Sequence, residues 1–292
     1  MPDSRTSEAV SLMTDFARRT RLDSDLPPRR YLWTDAFAVC NFLGLARATG
    51  DKKYTRLALE LVEQVHHTLG RHRDDDSRSG WISGLSEREG EAHPTIGGLR
   101  IGKALPERGP DAPFDERLEW ERDGQYFHYL TRWMHALDQV SRATGDPRYN
   151  LWARELAGTA HDAFSSLPSP GSTPRMVWKM SIDLTRPLVP SMGQHDPLDG
   201  YVTVRQLRAA ANGLRHPVEG PDLDEAIRGF ESMTDPSGLV SPDPLGIGGL
   251  LVDARRVALL KGRGDAFDER LLEQLFPGRD SHYWPSPPQN RT

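Results

Sequence analysis

Residues 33–54 read WTDAFAVCNFLGLARATGDKKY, and the end of that stretch returns 95 positions later as the RATGDPRY of residues 142–149. In the first copy Phe37, Val39, Phe42, Leu43 and Leu45, then Tyr54, Leu57, Ala58, Leu61 and Val65, recur at intervals of three and four, the period of two amphipathic helices. Between them Thr49-Gly50-Asp51 supplies a glycine able to take positive φ and end one helix, and an acceptor side chain to cap the next. The stretch therefore predicts a helical hairpin with a very short turn.

The second copy, residues 125–164, repeats the pattern with Tyr129, Trp133, Leu137 and Val140 on one helix and Tyr149, Trp152, Leu156 and Ala160 on the next. Aligning the turns sets Tyr54 over Tyr149, Glu60 over Glu155, Leu61 over Leu156 and His66 over His161. A lone hairpin cannot cover its own apolar face, so a repeated one predicts a stack. Further helices are expected over residues 7–19, 200–214, 223–233, 249–261 and 265–275, and period-two runs are essentially absent, which gives an all-α fold. We expect one domain, residues 1–292.

A hairpin with its turn needs only about 40 residues, so the offset between copies leaves an excess at residues 71–123. Long structureless connections are uncommon in compact domains, and Trp81, Ile82, Leu99, Ile101, Phe114 and Trp120 argue that this excursion is ordered. Residues 165–200 form a second excursion. Both are expected to wall a pocket at one end of the stack.

Composition narrows the partners. The formal charge of −5 is spread along 292 residues, without the concentrated basic face that a phosphate backbone demands. Nucleic acid is therefore not expected, and neither is a membrane, because no apolar run approaches about 18 residues. The first residues carry acids and no signal-peptide core, which predicts a soluble cytoplasmic protein. Cys40, the single cysteine, lies in an apolar helical run as a small hydrophobe. The Pro-rich tail is expected to fray unless Tyr283 and Trp284 dock it.

The stretch W-T-D-A-F followed by T-G-D-x-x-Y resembles a pattern of unsaturated glucuronyl hydrolases and, more loosely, of other six-hairpin (α/α) toroid enzymes such as N-acylglucosamine 2-epimerases. Trp33, Thr34, Phe37, Thr49, Gly50, Asp51 and Tyr54 keep the register over about one hairpin, and the family's glycine is Ala36 here. The resemblance implies an (α/α) toroid and a sugar-facing Trp33. No counterpart of the family's catalytic aspartate motifs is found elsewhere in the chain.

Residue chemistry independently nominates a site. Trp33 offers a stacking face, and Asp35 beside it is a candidate acid or base, or an early-turn carboxylate that suits the helix dipole. DGQYFHY, residues 123–129, crowds Asp123, Gln125, Tyr126, His128 and Tyr129 where the long excursion enters a helix. GQHDPLDG, residues 193–200, presents Gln194, His195, Asp196 and Asp199 between glycines or, alternatively, is turn chemistry in which Asp199 caps the following helix. Lys179 and Arg186 suit an anionic substrate group or, equally, Asp183.

The expected catalytic set is thus Asp123, His128, His195 and Asp35. Trp33, Gln125, Tyr126, Lys179, Arg186, Gln194 and Asp196 are expected to bind a small-molecule or oligosaccharide substrate. HPTIGGLRIGK, residues 93–103, lacks the P-loop pattern and reads as a lid element, and neither a G-x-S-x-G element nor a dinucleotide fingerprint is present. His66-His67 and His72 lack paired ligand spacing, leaving only a distant trio of His93, His128 and His195 as a metal alternative, so neither metal nor cofactor is expected. The reading is a carbohydrate-active, glycoside hydrolase-like enzyme working by general acid/base catalysis. The alternatives are a sugar epimerase or isomerase on the same fold, and a non-catalytic helical scaffold binding a peptide or protein.

Overall fold

The two Thr-Gly-Asp turns fold as copies of one another. The computed structural model describes residues 4–166, 174–191, 193, 195–214, 216, 218–239, 241–267 and 269–276. In it α2 (Leu32–Thr49) and α3 (Lys52–Leu69) form the first hairpin, α6 (Phe127–Thr144) and α7 (Pro147–Phe164) the second. Gly50 and Gly145 close the leading helices at φ 72° and 75°. Asp51 and Asp146 then cap the following helices, accepting from the backbone N–H groups of Lys53 and Arg148. Thr49 and Thr144 accept the N–H of each capping aspartate at 3.2 Å. Tyr54 and Tyr149, aligned by the sequence, are both buried, as are Leu61 and Leu156.

Eleven α-helices and one 3-10 turn account for most of the ordered structure among the described residues. The leading helices line up: α2 packs on α6, α6 on α8 (Asp196–Asn212), and α8 on α10 (Pro244–Lys261). Cross-contacts run in step along them, with Thr131 and Gln206 bonding Asp199 and Asp138 between α6 and α8, so α6 and α8 run parallel. α3, α7 and α9 (Asp224–Met233) return behind the row, while α1 (Ser4–Thr20) covers α2 and α11 (Glu269–Leu275) ends the described chain. At the far end α10 leaves Leu245 and Leu251 exposed. No helix among the described residues is long and apolar enough to cross a membrane.

The structure corrects three expectations. Two small antiparallel sheets exist: β1 (Gln125–Tyr126) pairs with β4 (Lys179–Met180), which pairs with β5 (Pro187–Val189), and β2 (Ser165–Ser166) pairs with β3 (Arg175–Met176). Strands of two or three residues are too short to show an alternating pattern. α8 begins at Asp196, four residues before the predicted start, so Asp199 lies inside its first turn and does not cap it. α10 begins at Pro244, because Asp243 accepts the N–H of Gly246 at 2.7 Å and proline suits the first helical position. That cap outweighs the helix-weakening glycines which had placed the start at residue 249.

The excursion over residues 71–123 is ordered around α4 (Glu87–Ala92) and α5 (Glu116–Glu121). Trp81, Leu99 and Ile101 are buried, whereas Phe114 and Trp120 stay exposed. Gln194, Tyr283 and Trp284 lie outside the described residues.

Candidate functional site

The parallel row brings the N-terminal ends of α2, α6, α8 and α10 to one end of the molecule. Trp33 enters from α2, and His128 and Tyr129 enter from α6. The Trp33 ring lies 5.7 Å from that of His128 and 5.0 Å from that of Tyr129. Tyr126 and Trp178 flank His128, their rings 5.4 and 6.2 Å from its own. Trp120, from the long excursion, stacks beside Tyr126 and Trp178 at 5.9 and 5.8 Å. The hydroxyls of Tyr31 and Tyr129 share a 2.6 Å hydrogen bond, and the Lys103 ammonium lies over the Tyr31 ring. These groups form an aromatic wall in which Trp33, His128, Tyr129 and Trp178 remain half-buried and reachable.

A charged floor crosses from α6 to α10 beside that wall. Asp199 takes hydrogen bonds from Thr131 at 2.5 Å and from Arg256 at 3.2 Å, and pairs with Arg132 at 3.0 Å. Arg256 also reaches Asp253 at 3.1 Å, Gln206 at 2.8 Å and Thr203 at 2.8 Å. Burial alone would neutralise Asp199, but the two guanidinium groups and Thr131 hold it below the usual carboxylate range. The consequence falls on its neighbours.

Asp196 is raised to about 7, first by burial and then by the charge of Asp199, against hydrogen bonds from the Gly193 backbone and the Trp178 indole. Burial and the same anion raise Asp253. His128 is lowered to about 4 because its desolvation exceeds the pull of Asp199, so the ring is neutral at pH 7. Its Nδ1 is buried and makes no hydrogen bond. Asp196 and His128 both adjoin Trp178, one a carboxyl titrating near neutrality at its indole N–H and the other a neutral imidazole 6.2 Å from its ring. Such a pair can exchange a proton with a bound molecule.

The remaining sequence candidates divide. His195 precedes Asp196 at the start of α8, and its Nε2 lies beside the backbone of Gly246 on α10. Asp123 does not join the aromatic wall: it is buried and receives Arg100 at 2.6 Å, Arg73 at 3.2 Å, and the N–H groups of Gly102 at 3.0 Å and Gly124 at 3.1 Å. Gln125 is equally committed, donating to the carbonyls of Gly97 and Ile182 and accepting the N–H of Leu99. Asp35 is buried against Arg30 at 3.7 Å and accepts the Tyr31 N–H, with burial raising it to about 7.

Lys179 is fully buried, paired with Glu119 at 3.0 Å and donating to the Glu119 and Arg122 carbonyls. Arg186 donates to the Arg108 carbonyl, and Asp183 pairs with Arg78 at 2.8 Å, so neither Lys179 nor Arg186 is its partner. The bonds of Asp123, Gln125, Lys179, Asp183 and Arg186 run within and between the two excursions, whereas those of Asp35 stay at the start of α2. His93 is held by Glu155 at 2.6 Å, and no three His, Cys, Asp or Glu side chains gather as metal ligands among the described residues.

The sequence reading missed Arg132, Asp253 and Arg256, and it took Asp199 as one polar tip of its loop or as a cap without placing it in the site. A usable signal existed in GGLLVDARRVALL, where Asp253 and Arg256 sit three apart in an otherwise apolar helix.

No family model matches the chain, and no curated protein matches it by sequence. Among solved structures the chain is similar to cellobiose 2-epimerase from Spirochaeta thermophila DSM 6192, at 16% identity and a TM-score of 0.43. The match covers 81% of this chain and 46% of that one, so the chain spans less than half the length of that protein.

Proposed function

We propose that the chain is a single (α/α)-toroid-type domain, an open arc of hairpins whose leading-helix N-termini form a sugar-binding recess, and that it epimerises or isomerises a small sugar by proton transfer. The observation that carries this reading is that Asp196 and His128 both adjoin Trp178 of the aromatic wall, Asp196 accepting its indole N–H and the His128 ring lying 6.2 Å from its ring. Trp33, Tyr129 and Trp178 provide flat faces for a sugar ring. Ionised Asp196, more basic than an ordinary carboxylate, removes the proton from the carbon beside the carbonyl. Neutral His128 donates an N–H to the carbonyl oxygen and stabilises the charge that develops there.

Hydrolysis is supported less well. It needs a second carboxylate free to attack the sugar or to activate water. Asp199 is clamped by two arginines, and Asp123 and Asp35 are committed elsewhere.

The test is proton exchange. Aldoses and ketoses incubated with the protein in deuterium oxide should gain deuterium at the carbon next to the carbonyl, read by NMR. Asp196→Asn and His128→Ala should each slow this by about 10²–10⁴-fold. Exchange that is undiminished in both variants would remove the pair from the mechanism. Glycoside cleavage without exchange would restore the hydrolase reading. With Asp196 as base, the rate should climb as pH rises through about 7.

A further inference from the structure

A groove of about 860 Å³ runs between α1, the segment that follows it, Phe42 of α2 and the first turns of α3, and none of its lining residues belongs to the aromatic wall. Its wall carries Arg18, Arg19, Arg21, Arg29, Lys53 and Arg56 against one carboxylate, Asp23. That imbalance is unusual in a chain whose formal charge is −5. Arg18 and Arg19 share Asp15, and Lys53 lies 3.4 Å from Asp51. Arg21, Arg29 and Arg56 form no ion pair among the described residues.

The frame of the groove is fixed. Leu22 is buried, and its carbonyl accepts Gln64 at 3.0 Å. Arg29 and Arg30 both donate to the Thr20 carbonyl. Arg21 takes φ 58°, a left-handed conformation rare for a residue with a side chain, and bonds the Pro27 carbonyl at 3.2 Å. Phe42 and Tyr54 close the floor.

We infer that this groove binds a phosphorylated small molecule, a phosphate monoester or polyphosphate, through Arg21, Arg29 and Arg56. Guanidinium forks engage phosphate oxygens two at a time, and three without carboxylate partners match a ligand of two or more negative charges. A concave site of this volume takes a small molecule, whereas a lipid surface needs a convex or flat basic face.

Isothermal titration of the whole chain with inorganic pyrophosphate at low ionic strength tests the inference. One saturable site is expected, weakened at least about tenfold by Arg21→Gln/Arg56→Gln, with Arg29→Gln/Arg56→Gln as the second pair and circular dichroism to verify folding. Sulfate at equal ionic strength should compete poorly. The inference is overturned by an absence of saturable binding, by equal binding in both folded double variants, or by equal competition from sulfate. Binding to anionic phosphatidylserine vesicles without binding to pyrophosphate would overturn it in favour of a membrane contact. The sugar-exchange assay is independent of every arm.

Discussion

Asp123 and Asp196 are the same residue at equivalent places, each close to the start of a leading helix and each inside a motif dense in polar groups. Their surroundings make them opposites. Asp123 collects four donors, two of them arginines, from three separate parts of the excursion. Asp196 has one indole and one backbone N–H, and the anion of Asp199 presses against its ionisation. The first is a fixed charge that holds a long connection in place. The second stores a proton near neutral pH. The number of donors already spent on each is what separates these two carboxyls.

The comparison breaks if the two aspartates respond alike to removal. Asp123→Ala leaves Arg100 and Arg73 facing an empty buried site and should cost about 3–5 kcal/mol in urea unfolding. Asp196→Asn should not lower stability and should raise it at neutral pH, because it removes a carboxyl that burial and Asp199 hold against ionisation, while slowing exchange by about 10²–10⁴-fold. Gly98→Ala attacks the same hub from another side: the residue has φ 76°, and a Cβ there would collide with the Gln125 amide. A loss of about 2 kcal/mol is expected, and a neutral effect would show that the excursion is held elsewhere.

Protonation sharpens the contrast. Asp199→Asn removes the anion that opposes Asp196 and leaves Arg132 nearby, so the Asp196 carboxyl should titrate lower. Carbon-detected NMR of the side chains reads this directly. The stability sign follows from the raised value. Between the ordinary 3.8 and about 7 the folded state holds the Asp196 proton while the unfolded chain has released it, so this group's contribution falls as pH rises. Asp196→Asn should flatten that decline, and an unchanged slope would mean that the carboxyl is already ionised.

Much of this was legible before any coordinates. The hairpins could be read because their turn chemistry is local: threonine, glycine and aspartate each act within three residues. Trp33 and His128 could be placed together because aligned hairpins bring aligned helix starts together. The floor of the recess was not legible, since Arg132, Asp199 and Arg256 come from three helices and no spacing along the chain records their meeting. The crowding in DGQYFHY misled for a related reason. Polar density there reflects the backbone groups of a folded excursion that need partners, and Asp123 and Gln125 supply them. The two-residue strands escaped because periodicity needs more length than they have.

The echo from which the fold was read gives the smallest and most symmetric prediction. Gly50 and Gly145 sit at φ 72° and 75°, and a Cβ at either would meet nothing within 4 Å. Substitution by alanine therefore carries no steric penalty from neighbours, only the cost of a left-handed backbone for an L-residue, about 1–2 kcal/mol. Because the two turns share their caps and their threonine bonds, the two costs should agree within about 0.5 kcal/mol, and the double variant should lose their sum. Two-state urea curves for the three variants decide it. A large inequality would mean that one turn is supported by contacts the other lacks, and that the repeat is one of sequence more than of energy.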